Sequence, residues 1–150
     1  TRNSAEALLR RADALPRVNG LTDAYNAVSV RHQTPLGGED LDAYDGALRL
    51  TRATGDEEFS TMSSGAETLE HPDAGEVVWR DDAGVTCRRW NWRQCYRTRL
   101  TGETTNAIFI CDVLDVEPGD GEQRATEVRD ALCEALEAVS PGVTLTSRIL

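Results

Sequence analysis

The chain has 150 residues, 39% of them hydrophobic, and carries 26 acidic against 16 basic residues for a formal net charge of -10. That size fits one domain with one packed core, and that apolar content excludes a disordered chain. No apolar run approaches the roughly 20 residues of a membrane span, and no basic-then-apolar leader opens the chain, which begins at Thr1 as a fragment or processed protein would.

The elements follow in chain order. Asn3 with Glu6 three residues on reads as a helix start, Leu8, Leu9, Ala12 and Leu15 continue the helical spacing, and Pro16 stops it. Tyr25 to Val30 fits helix and strand equally. Gln33 to Asp45 reads as loop, broken by Pro35, Gly37 and Gly38. Ala47 to Ala53 alternates like a strand. Thr54 to Ala74 is polar and reads as loop with at most one short strand. Glu76 to Arg80 is a strand, Asp81-Asp82-Ala83-Gly84 a hairpin turn, and Val85 to Arg89 its partner. Ala107 to Leu114 is the most apolar run and the expected central strand. Gln123 to Val139 is the clearest helix, with Ala125, Val128, Leu132, Leu136 and Val139 on one face, expected to pack on a sheet holding Ile108 and Ile110. Ser140-Pro141-Gly142 ends it, and Val143 to Leu150 reads as a closing strand. Mixed strands and helices without strict alternation predict an α+β domain spanning 1–150.

Charge is unevenly placed. All 16 basic residues are Arg, and Ala83 to Leu100 holds five of them with no acid, whereas Thr101 to Leu150 has ten acids and three Arg. A pI near 4.6 argues against diffuse nucleic-acid binding but leaves room for a local basic site. Within that window, Arg88-Arg89-Trp90-Asn91-Trp92-Arg93-Gln94 combines paired guanidinium donors, indole faces and two amides, which suits an anionic ligand bearing a ring, such as an RNA end. The bland alternative pairs these arginines with acids of the chain and buries the indoles. Gly37 and Gly38 would let a backbone approach a ligand, and Glu39 and Asp40 would supply a base or hold an amino group, although a turn and helix cap explain the same residues. Thr104-Thr105-Asn106 could orient a water or an ester carbonyl, or cap a turn. His32 and His71 form no readable catalytic pair. Cys87, Cys95, Cys111 and Cys133 lack the tight spacing of a zinc site, so four reduced thiols and neither metal nor cofactor are expected.

Several of these segments together resemble the editing module of the phenylalanyl-tRNA synthetase beta subunit, and more closely the stand-alone proteins built on it. Leu21 to Val28 is similar to the synthetase stretch "VDxTNYV", and Pro35 to Asp42 to "PLHAFD". Leu48 to Phe59 matches "VRxAxxGExL", Glu76 to Asp82 "LVIADD", and Thr104-Thr105-Asn106 "DTTNV". RRWNWRQC is absent from the synthetase and typical of the stand-alone group, whose members begin well upstream of Thr1. The resemblance implies a layered β/β/α fold with an amino-acid pocket, a cytoplasmic protein, and hydrolysis of mischarged tRNA. Pro35, Asp40, Asn26, Thr104, Thr105 and Asn106 carry over by position. The motif histidine is Gly37 here and a pocket glutamate is Ile110, so the parent's tyrosine recognition does not carry over. The leading expectation is a tRNA-linked protein acting as a trans-acting aminoacyl-tRNA deacylase. In it Asn91, Gln94, Thr104 and Thr105 hold the water, and Arg89 and Arg93 hold terminal phosphates. Trp92 stacks on a base, and Asn26, Gly37, Gly38, Glu39, Asp40 and Asn106 form the pocket. The alternative is a non-catalytic module binding an amino acid, aminoacyl group or RNA.

Overall fold

The computed structural model describes residues 3–12, 15 and 17–150. The chain forms two compact units, one comprising Glu39–Ile108 and the other Asn3–Gly38 with Phe109–Leu150. The expected helix stop at Pro16 lies outside the described residues.

The second unit is mainly helical. In α1 (Ser4–Leu9) the Asn3 side chain accepts from the Glu6 amide at 2.8 Å, the cap its sequence predicts. The ambiguous Tyr25 stretch is helical, inside α2 (Gly20–His32), where Asn19 caps the Thr22 amide and Gln33 closes the end with a left-handed φ of 51°. α3 (Gly121–Val139) buries Val128, Leu132 and Leu136 as its apolar stripe requires. Its main packing partner is α2, which buries Ala24, Tyr25 and Val28, and Cys133 on α3 also lies close enough to Cys111 to help raise its pKa. The Tyr25 and Phe109 rings meet edge to face at 6.0 Å. Val143 to Leu150 forms no strand. Its alternation is real, but Val143 and Ile149 stay exposed and no neighbouring strand supplies a ladder.

The unit Glu39–Ile108 is built from antiparallel strands. β2 (Arg49–Arg52), β5 (Val77–Arg80), β6 (Val85–Arg88) and β7 (Arg93–Gln94) form a four-stranded sheet in the order β2-β5-β6-β7. β3 (Phe59–Ser63) and β4 (Ala66–Glu70) make a hairpin inside the stretch read as loop. β4 is largely exposed, so no apolar alternation marks it. The turn between β5 and β6 falls at Asp81–Gly84 as predicted. Gly84 is required there: its φ is 151°, and an added Cβ would lie 2.5 Å from the Glu58 carbonyl oxygen. Ala53, Phe59, Val78, Val85 and Cys95 form this unit's core.

β1 (Leu36–Asp40) pairs with β8 (Ala107–Cys111), so the Gln33 to Asp45 segment is not all loop. The AIFIC run is half-buried in this two-stranded ribbon and is not the central strand; apolar content alone does not fix a strand's place in a sheet. The observed architecture is thus α+β with antiparallel sheets.

Leu132→Ala is expected to destabilise the protein by about 2–5 kcal/mol, because it opens a cavity under α3. Val139→Ala, at a position 46% exposed, should cost well under 1 kcal/mol. Urea denaturation of both variants checks the buried face.

Candidate functional site

Two sequence-distant segments are tied together beside the end of β1. Asp40 accepts from its own neighbour Asp42 N at 2.9 Å, which starts a 3-10 turn at Leu41–Ala43. The same carboxylate accepts the Thr104 hydroxyl at 2.7 Å. Asp42, two residues on, accepts Thr105 Oγ1 at 3.3 Å and Asn106 Nδ2 at 2.9 and 3.1 Å. Backbone bonds reinforce the join: Asp40 N donates to Thr98 O and Leu41 N to Asn106 O. Thr104 Oγ1 also accepts the Thr101 amide at 3.0 Å, so the turn-capping use of this triplet and its contact with Asp40 coexist. Asp42, Thr105 and Asn106 are exposed; Asp40 and Thr104 are half-buried.

The aspartate turn is bolted to the sheet by Asp81. This residue is fully buried and accepts from Asp45 N, Ala83 N and Gly84 N, and from both terminal nitrogens of Arg97 at 2.8 and 2.9 Å. Burial opposes its ionisation, but the Arg97 side chain and the amides of Asp45 and Gly84 hold its carboxyl below the usual range. Arg97 Nη1 reaches the Ala43 carbonyl as well, at 2.8 Å.

Glu39 points the other way from Asp40 along β1 and is 3% exposed. The Tyr44 hydroxyl donates to its Oε2. The Thr86 and Thr98 hydroxyls face the same carboxyl, yet Glu39 Oε1 and Thr86 Oγ1 each lack a well-formed hydrogen bond. Burial raises the Glu39 pKa to about 7, against the pull of Tyr44, the two threonines and the Arg97 charge. A surface role holding a ligand amino group does not fit this placement.

The basic window forms the turn from β6 to β7, where Arg89 and Trp90 adopt φ of 48° and 66°. Its arginines are largely paired within the chain. Arg88 is buried between Glu76, at 2.7 and 2.9 Å, and Glu70, at 3.1 Å. Arg93 reaches Glu70 at 3.5 Å and donates to Thr61 Oγ1. Of the three arginines around Trp92, Arg89 is the most loosely held, 3.8 Å from Glu76. The Trp92 ring is surrounded by the guanidinium carbons of Arg88, Arg89 and Arg93, 5.9, 4.5 and 5.7 Å from its centroid. Trp90 is the exposed indole of the pair, at 46%. Asn91 lies on this same turn, and Gln94 follows it in β7, opposite Cys87 in the ladder. The acids absent from this window come from the β4 end and the approach to β5, which is why their signal is missing locally.

The remaining predicted residues take other places. Gly37 and Gly38 serve an extended strand, β1, and make no turn. Asn26 is half-buried on α2. His71 is exposed, with its Nδ1 3.0 Å from the Glu57 carbonyl oxygen, and His32 Nε2 is buried without a hydrogen-bond partner. None of the four cysteines is disulfide-bonded. Burial pushes the Cys95 thiol up and Cys111 to about 11, which leaves both poor nucleophiles at neutral pH. Among the described residues no group of His, Cys, Asp and Glu is arranged to hold a metal, and no helix is long and apolar enough to cross a membrane. An open groove of about 490 Å³ runs past Ser60, Leu69, Val85, Tyr96, Arg97 and Arg99, with none of the predicted residues in its lining.

The family model of the B3/4 domain matches residues 1–133. The chain belongs to the B3/4 domain family. This domain is the one found in the editing module of the phenylalanyl-tRNA synthetase beta subunit. No curated protein matches the chain significantly. In this B3/4 domain, the segments similar to "PLHAFD" and "DTTNV" are the two joined by the Asp40–Thr104 and Asp42–Asn106 bonds. Asp81, within the stretch similar to "LVIADD", is their anchor. Sequence reasoning passed over Asp42, Tyr44, Asp81 and Arg97. Asp81 had a visible signal in its D-x-x-G turn, whereas nothing near Arg97 in sequence names its partner.

Between the ordinary carboxylate value of 4.5 and about 7, the folded chain holds a proton on Glu39 that the unfolded chain releases. This group's contribution to stability therefore falls as pH rises through that window. Glu39→Gln should remove the dependence. Relative to wild type, the variant is expected to gain up to roughly 3 kcal/mol between pH 4 and pH 8, at about 1.4 kcal/mol per unit. Urea midpoints measured across that range check this; parallel pH profiles for the two proteins would contradict it.

Proposed function

We propose that this B3/4 domain protein binds aminoacyl-tRNA and hydrolyses the ester of a mischarged one in trans. The observation that carries the reading is the clasp joining Asp40 and Asp42 to Thr104, Thr105 and Asn106. Ester hydrolysis needs a held water, a proton acceptor and donors for the developing oxyanion, and no protein nucleophile is required. Asp42 is the exposed carboxylate of the clasp and suits the acceptor role. The Thr105 hydroxyl donates to Asp42 and keeps oxygen lone pairs for a water. The Asn91 and Gln94 amides supply donors under this reading, and Arg89, the loosest of the basic turn, holds a terminal phosphate. Stacking on a base falls to the exposed Trp90 in place of Trp92, whose ring the three arginines already crowd. The layered β/β/α arrangement and amino-acid pocket of the synthetase module belong to the same proposal.

One observation favours the binding-only alternative. Thr104 Oγ1 donates its single proton to Asp40 and accepts from Thr101, so it has no donor left for an oxyanion. The two readings separate in one experiment. A panel of correctly and incorrectly charged tRNAs is incubated with the protein, with tRNA affinity measured in parallel. A deacylase accelerates hydrolysis of at least one mischarged species, and Asp42→Asn lowers that rate by about 10²-fold or more with binding retained. Binding without hydrolysis selects the alternative; neither binding nor hydrolysis overturns both. Arg89→Ala should weaken tRNA binding and reduce the salt slope by about one. Arg88→Ala should instead lower stability, since the Glu76 side chain, itself buried, would lose its closest charge partner and both guanidinium hydrogen bonds.

A further inference from the structure

The loop from Glu39 to Tyr44 is closed by its own ends. The Tyr44 hydroxyl returns to Glu39, and between them Asp40 caps the 3-10 turn that carries Asp42. We infer that the Tyr44–Glu39 pair is a positioning device: it fixes the turn on which Asp42 presents its carboxylate to Thr105 and Asn106. This deepens the proposed function and rests on Asp42 belonging to that site.

Three features support it. First, the fastening point is rigid. Glu39 lies almost wholly inside the protein, and Asp40 N is held by Thr98 O, so the strand end cannot slide. Second, Tyr44 is the last residue of the loop before Asp45, whose amide is taken by buried Asp81. The loop is thereby held at both ends, and only its middle, Leu41 and Asp42, faces solvent. Third, a carboxyl group buried with one oxygen lacking a well-formed partner is a poor choice for stability alone. An apolar side chain would be cheaper to bury but could not hold Tyr44, and an acceptor oxygen for that hydroxyl is what this position supplies. The groups facing it are Tyr44, Thr86, Thr98, Cys95 and Arg97, the last neutralised by Asp81.

Tyr44→Phe removes the hydroxyl and keeps the ring. Glu39→Gln keeps a carbonyl oxygen for Tyr44 and removes the titratable carboxyl. Hydrogen exchange followed by NMR on both variants reads the turn directly. In Tyr44→Phe the amide of Asp42 should exchange at least tenfold faster while the core amides of Val78 and Val85 are unchanged. Glu39→Gln should retain protection at Asp42 within about twofold. In the deacylation assay, Tyr44→Phe should lower kcat with KM unchanged, and Glu39→Gln should retain most of kcat. Unchanged Asp42 exchange in Tyr44→Phe overturns the inference. So does a uniform rise across turn and core, which would mark Tyr44 as a merely structural residue. If the wild-type protein deacylates nothing, the proposed function fails, and the exchange data still decide whether Tyr44 and Glu39 set the turn.

Discussion

The pair formed by Asp81 and Arg97 is the constraint on which the strand-rich unit depends. A fully buried carboxylate is costly unless every acceptor site is filled. Here three backbone amides and two guanidinium nitrogens fill them. Those donors come from three places in the chain: the aspartate turn, the β5–β6 turn and the segment after β7. Satisfying one charge therefore fixes three connections that hydrophobic burial alone would leave free to shift. Arg97 remains partly exposed, so the pair avoids the full desolvation cost of two buried ions.

The candidate site inherits its geometry from that anchor. Asp45 and Ala43 are held on the sheet side, Asp40 on the strand side, and the carboxylates of Asp40 and Asp42 are left to gather Thr104, Thr105 and Asn106. The basic turn follows a different logic. Its arginines answer Glu70 and Glu76, and they enclose Trp92. The acid-free composition of that window thus reflects pairing across strands as much as any ligand. Arg89 and Trp90 sit in left-handed backbone at the tip and are the exposed residues of this turn.

Much of the fold was legible where local physics decides it. The α3 stripe, the Asn3 cap and the Asp81–Gly84 turn each need only a few neighbouring residues, and each occurs. What was not legible depends on distant partners. The β3–β4 hairpin is solvent-facing, so its strands carry no apolar alternation. Val143 to Leu150 has the alternation and no strand to pair with. β8 looks central by composition but lies in a two-stranded ribbon. At the site, family resemblance named Asp40 and the Thr104–Asn106 triplet, and they do converge. The burial of Glu39 was not legible, because sequence gives no face to a residue in an unrecognised strand. Asp81 is readable in sequence as a turn residue and as one of the acids open to the basic window, but nothing local singles out Arg97, sixteen positions on, as the arginine it takes.

A double-mutant cycle between Asp81→Asn and Arg97→Met, read as unfolding free energy in urea, tests the central claim most directly. Arg97→Met alone should cost about 3 kcal/mol or more, since it strands a buried charge, and the double variant should lose clearly less than the two single losses combined. Losses that add to within about 0.5 kcal/mol would contradict it, by showing that the two residues do not act as one anchor.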